Sequence, residues 1–136
     1  MPEVRRPVAF VILGLLCGQF LVLGLIQASR DSVAVDEAVD LTAGLVAVAD
    51  HDVRMAPEHA LFHKVLPGLL PVLVADPIIP RTAAYEDGDW FDYTDDLIRA
   101  NDEAGRLDDV VFWFRVVPLL LGAATGLLVY ALGRDS

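Results

Sequence analysis

Hydrophobic positions along this chain collect into two long runs, with a stretch of mixed character between them. The runs are Val8 to Ile26 and Val110 to Leu132. Each holds roughly 20 residues, and at about 1.5 Å rise per residue either would cross the ~30 Å hydrocarbon core of a bilayer as a helix. The pattern predicts an all-α membrane protein with one transmembrane helix over 8–28 and a second over 110–132. A long extracytoplasmic loop over 29–109, with juxtamembrane and amphipathic helices, joins them. The whole of 1–136 reads as a single membrane segment whose loop is too small for a soluble core of its own.

Within the loop the periodicity changes. Val35, Val39, Ala43 and Val46 recur at helical spacing and predict a helix over about 36–49. Asp36, Glu37 and Asp40 stand in its first turn, where the helix dipole favours negative charge. Pro57 can open a second helix over about 58–75. The apolar part of that helix, Val65 to Ala75, is too short to span and contains Pro67 and Pro71. It is expected to lie along the membrane interface, bent at the prolines. From Asp76 to Asp109, Pro77, Pro80 and Gly88 mark turns, and a solvated lid is expected. Thr94 is the expected cap of a short helix ending before Gly105, with Tyr85, Trp90, Phe91 and Tyr93 touching the headgroup zone.

The two runs carry their own signals. The first is too long for a signal peptide and lacks a good small-x-small cleavage site at Ile26-Gln27-Ala28, so it is expected to be retained. Gly14, Gly18 and Gly24 lie along it; the spacing of Gly14 and Gly18 either allows close helix approach or merely reflects the frequency of glycine in membrane helices. Gln19, polar at mid-depth, is expected to face protein. Phe112-Trp113-Phe114 opens the second run as an aromatic belt. Arg115 follows, either snorkelling to the surface or presenting its planar fork to a phosphate. Arg5, Arg6 and Arg134 flank the far ends of the runs, which predicts that both termini are cytoplasmic.

Charge and composition narrow the function. A net charge of −10, with nine Arg and a single Lys, excludes a nucleic-acid-binding face and fits a water-exposed acidic loop. The one cysteine, Cys17, permits no disulfide within the chain. His59 and His63 stand four apart and could share one helix face, but the H-E-x-x-H order of zinc proteases is absent. A zinc site at His51, His59 and His63 is the weakest of the readings.

The acidic pair Asp36-Glu37, the block from Met55 to Lys64 and the run from Phe112 to Pro118, taken in order, resemble the beginning of the family 39 glycosyltransferases. These are membrane-embedded GT-C enzymes related to protein O-mannosyltransferases and lipid A aminoarabinose transferases. The first group is the acidic pair Asp36-Glu37 just outside the first span. The second, Met55-Ala56-Pro57-Glu58-His59-Ala60-Leu61-Phe62-His63-Lys64, is similar to a Met-Asn-Pro-Glu-His-Pro-Pro-Leu-x-Lys block. The third is Phe112-Trp113-Phe114-Arg115-Val116-Val117-Pro118 at the head of the second span. Ala56 departs from the usual Asn, and Ala60-Leu61 departs from Pro-Pro. Such enzymes continue through many more spans, so the chain resembles an amino-terminal piece of one, truncated relative to the family.

The resemblance implies transfer of a sugar from a polyprenyl-phosphate carrier to an acceptor on the outer face of the cell membrane. It makes Asp36 the catalytic carboxylate and Glu37 its neighbour. Glu58 and His59 would line the substrate site, and Lys64 and Arg115 would hold the carrier phosphate. Burial and a like-charged neighbour would both raise the Asp36 pKa towards that of a general base. No cofactor or metal is implied, and dependence on a divalent cation stays open. The partners implied are the bilayer, the lipid-linked donor and the remaining helices of the transferase as a separate chain, the segment being inactive alone. The alternative is a small two-span membrane protein whose acidic loop is a non-catalytic assembly or cation-binding surface.

Overall fold

The first hydrophobic run forms one continuous helix, α1 (Arg5–Ala28), and the second forms α6 (Leu107–Arg134). Their apolar stretches, Val8–Ala28 and Leu107–Gly133, are long and apolar enough to cross a membrane. The computed structural model describes residues 5–58 and 60–134; His59 lies outside the described residues. Among those residues every regular element is helical. Between α1 and α6 come α2 (Val35–Ala49), α3 (Leu61–Val74), α4 (Ala83–Asp87) and α5 (Trp90–Glu103).

The two long helices run antiparallel. Leu119 fills the space beside Gly24, the Phe20 ring lies against Gly122, and Phe10 meets Tyr130 edge-on at a centroid distance of 5.5 Å. The close-approach glycine of α1 is therefore Gly24. Gly14 and Gly18 have open space where a Cβ would stand. Gln19 is exposed too, contrary to the expectation that it faces protein. Residues Val110, Val111 and Phe114 at the head of α6 are buried, so the second long helix begins inside the protein and leaves it only beyond Pro118.

The segment between the spans has a core after all. Leu41, Leu45 and Val46 of α2, Met55, Tyr93 and Leu97 of α5, and Val110 of α6 are all essentially inaccessible to solvent. The loop acquires this core by borrowing the first turns of α6 and burying α2 on nearly all sides. The stretch from Asp76 to Asp109, expected as a solvated lid with one short helix ending before Gly105, folds into α4 and a longer α5 that ends at Glu103, both packed on the core. Tyr85 and Tyr93 stack edge-on within the core at 5.2 Å rather than meeting lipid headgroups, while Phe91 stays exposed. Asp89, not Thr94, caps α5, accepting the backbone N–H groups of Phe91 and Asp92 at 3.2 Å. Thr94 lies one turn inside and donates to the Trp90 carbonyl. Buried Asn101 pins the extended Pro77–Pro80 segment by donating to the Ile78 carbonyl and accepting its N–H, both at 2.9 Å.

Helices α2 and α3 cross in backbone contact. A Cβ at Gly68 would lie 2.6 Å from the carbonyl oxygen of Gly44, and one at Gly44 would strike the Lys64 carbonyl. Helix α3 starts at Leu61, so Pro57 does not open it and Glu58 sits in the preceding turn. Pro67 and Pro71 are tolerated inside α3 on its buried side. Helix ends follow a common device. His51 after α2 and Asp76 after α3 take left-handed φ of 56° and 47°, and Gly88 and Gly105 do the same after α4 and α5.

Candidate functional site

The turn between α1 and α2 lacks regular structure and leaves several carbonyl groups facing inward. Arg115, two turns into α6, satisfies them. Its Nε and Nη2 grip Glu37 at 2.6 Å each, a two-pronged pair with the carboxylate. Its Nη1 donates to the carbonyls of Ala28 at 3.0 Å and Asp31 at 2.9 Å, and Nη2 also donates to Ser32 at 3.1 Å. A guanidinium has five N–H groups, and all five are engaged. Arg115 therefore neither snorkels nor offers a free fork; it clamps the end of α1, the turn and the start of α2 onto α6.

Glu37 is doubly used. While one oxygen pairs with Arg115 Nε, the other also accepts the Ala34 N–H at 3.4 Å and so caps its own helix. Hydrogen bonding to Arg115 holds the Glu37 carboxyl below the usual glutamate range, outweighing the upward push of partial burial. Beneath the pair lies a cavity of about 460 Å³ between α1 and α6, lined by Gly24, Gln27, Ala28, Phe114, Pro118 and Leu119 among others. Asp36, next to Glu37 in sequence, points elsewhere. It is exposed and lines neither this cavity nor the one at Lys64.

Lys64 forms the second centre. Its side chain is buried, and its Nζ donates to the carbonyls of Ala56 at 2.5 Å and Met55 at 3.2 Å. Neither acceptor is charged. The turn that supplies these carbonyls is itself constrained: Ala56 is buried with a left-handed φ of 48°. Lys64 borders an open concavity of about 500 Å³ with Val53, Pro57, Glu58, Ala60 and Leu61. Glu58 is exposed on its rim.

The residues singled out in the sequence thus fall into separate places. Glu37 and Arg115 meet across 78 positions; Lys64 and Glu58 share a concavity; Asp36 joins neither pair. Sequence reading missed two polar contacts of the loop. His63 Nε2 lies 2.9 Å from Asp40 Oδ2, tying α3 to α2. Asp50 accepts from Arg81 at 2.7 Å and from the Tyr85 hydroxyl at 3.1 Å, while the Arg81 guanidinium stacks over the Tyr85 ring at 4.3 Å. An Asp directly after α2 was the one visible hint of the second. Among the described residues no group of three or more His, Cys, Asp or Glu is arranged to hold a metal ion.

No family model matches the chain, and neither a curated protein nor a solved structure does.

Proposed function

We propose that this chain is a membrane-embedded segment of a glycosyltransferase that uses a polyprenyl-phosphate-linked sugar. In this reading α1 and α6 span the cell membrane with the chain-terminal ends, marked by Arg5, Arg6 and Arg134, in the cytoplasm. The helices α2–α5 then lie on the outer face. The observation that carries the reading is the buried Lys64 ammonium. It is held by two neutral carbonyls, and Lys64 borders a concavity, as a group kept ready for an anion would. The resemblance of the Asp36-Glu37, Met55–Lys64 and Phe112–Pro118 groups to the family 39 glycosyltransferases supplies the substrate class.

Asp36 is the acceptor-side base. It takes the proton from the acceptor hydroxyl as that oxygen attacks C1 of the sugar. The C1–O bond to phosphate breaks, and the carrier phosphate leaves with the electron pair and is stabilised by Lys64. Glu58 and His59 contribute to the substrate pocket. Arg115 is a positioning residue through Glu37, since its N–H groups are already engaged. Asp36 is exposed and so open to an acceptor hydroxyl from outside the described helices.

The test uses the chain in nanodiscs with polyprenyl monophosphate as the probe. Saturable binding that falls at least tenfold in Lys64→Ala is the expected result. Asp36→Asn should retain that binding and abolish sugar transfer in membranes containing the full assembly. Transfer by Asp36→Asn would remove Asp36 as base. The second reading, a two-span protein with a non-catalytic acidic loop, is favoured by the fully engaged Arg115. It predicts no binding of polyprenyl monophosphate at all.

A further inference from the structure

Helix α3 is inside out. The side it turns to the protein carries Lys64, Pro67, Gly68 and Pro71, all buried. The side it turns away carries Phe62, Leu66, Leu69 and Leu73. That second set recurs at i, i+4, i+7 and i+11, one continuous stripe on the opposite side of the helix. Phe62 is 73% exposed, Leu69 40% and Leu73 76%, with Leu66 half-buried between them. No ionisable residue belongs to the stripe; His63 lies to its side and reaches back to Asp40. A helix with its ammonium inside and its phenylalanine and leucines outside is not built to face water.

The level of α3 says what covers the stripe. Its crossing with α2 abuts Phe114 of α6, where a Cβ at Gly44 would lie 3.4 Å from the ring. Phe114 precedes Arg115, which binds the last carbonyl of α1, so this crossing lies at the loop-side end of α1 and two turns into α6. From Pro118 onward, about one turn or 6 Å further along, much of α6 is exposed and apolar. Helix α3 therefore crosses close to the level at which the exposed apolar surface of a helix long and apolar enough to span a membrane begins. Its ~21 Å length, at 14 residues, is too short to cross but sufficient to lie flat.

We propose that the Phe62-Leu66-Leu69-Leu73 face of α3 is sunk into the acyl region of the leaflet that meets α2–α5. The inter-span helices are then seated in that leaflet and not suspended above it. Leu61 belongs both to the first turn of α3 and to the rim of the Lys64 concavity, so that rim lies at headgroup level. The proposal needs α1 and α6 to span a bilayer and is independent of any transferase chemistry.

The test places single cysteines at Leu69 and Leu73 in a Cys17→Ser background, labels them with bimane, and reconstitutes the chain in phosphatidylcholine–phosphatidylglycerol vesicles. Val22→Cys on the exposed side of α1 and Asp95→Cys on α5 serve as lipid and water references. Labels at 69 and 73 should be quenched several-fold more by 5-doxyl lipid than by aqueous iodide, as at Val22. Quenching by iodide to the level seen at Asp95 would overturn the proposal. So would protection from both quenchers, which would mean that protein covers the stripe. For the unsubstituted chain, a diazirine-bearing acyl chain should crosslink within 61–74; labelling of α1 without labelling of that peptide would overturn it equally.

Discussion

At the scale of single residues, Arg115 decides most. It stands in an apolar helix, and its charge is compensated by Glu37 while three carbonyls take its remaining N–H groups. Lysine has no planar fork and only three N–H groups, so Arg115→Lys cannot reproduce this pattern. Arg115→Lys keeps the charge but leaves at least two of these acceptors unpaired, and should lower stability by roughly 1–3 kcal/mol, read by denaturant unfolding in detergent. The pair also sets a pH dependence. Because the Glu37 carboxyl is held below its ordinary value of 4.5, its stabilisation is complete above that value and is lost as pH falls through the lower, folded value. Glu37→Gln should therefore be less stable than the parent at pH 7, with the difference shrinking towards pH 3. An unchanged difference would mean that the carboxylate charge contributes nothing. The sequence marked Glu37 and Arg115 separately; it could not show that each is the other's partner, because their 78-residue separation is closed only by packing.

At the scale of elements, the six helices divide by how they approach one another. Helices α2 and α3 touch backbone to backbone at Gly44 and Gly68, whereas α1 and α6 interlock through Gly24 against Leu119 and Gly122 against Phe20. Gly68→Ala must separate α2 from α3 and should cost about 2–3 kcal/mol. Gly18→Ala has open space and should leave stability within about 1 kcal/mol of the parent. Thermal unfolding of the two variants side by side measures the contrast; a loss at Gly18 equal to that at Gly68 would show that another helix covers that face of α1. The glycine spacing of α1 was plain in the sequence, but the contact that matters involves glycines of α2 and α3 that no periodicity picks out. A glycine at a crossing leaves no mark beyond its own small size.

At the scale of the whole molecule, the inter-span helices and the two long helices are one structure. Val110, Val111 and Phe114 of α6 complete the core formed by α2, Met55 and α5. Residues 33–106 expressed without α1 and α6 should therefore fail to show a cooperative thermal transition in aqueous buffer, with near-ultraviolet circular dichroism as the readout. A sharp transition would mean that the middle of the chain folds by itself. The dependence also orders assembly: Arg115 can close on the α1–α2 turn only when α6 lies against α1.

Hydrophobic periodicity by itself determined the two long helices, α2 to within a residue, and most of α3. Each of these is a local pattern of apolar positions long enough to specify its own hydrogen bonding. The acidic pair, the Met55–Lys64 block and Arg115 were likewise visible as unusual residues beside apolar runs. Tertiary structure alone decided the rest. It buried Tyr85 and Tyr93 of α4 and α5 against α2 and α6, where the sequence showed only a short helix ending before Gly105 and aromatic residues among acidic ones. It turned Arg115 into a clamp and left Asp36 exposed. It also put Lys64 on the inner side of α3. A charged side chain is buried or solvated according to what packs over it, and that is set by residues far away along the chain.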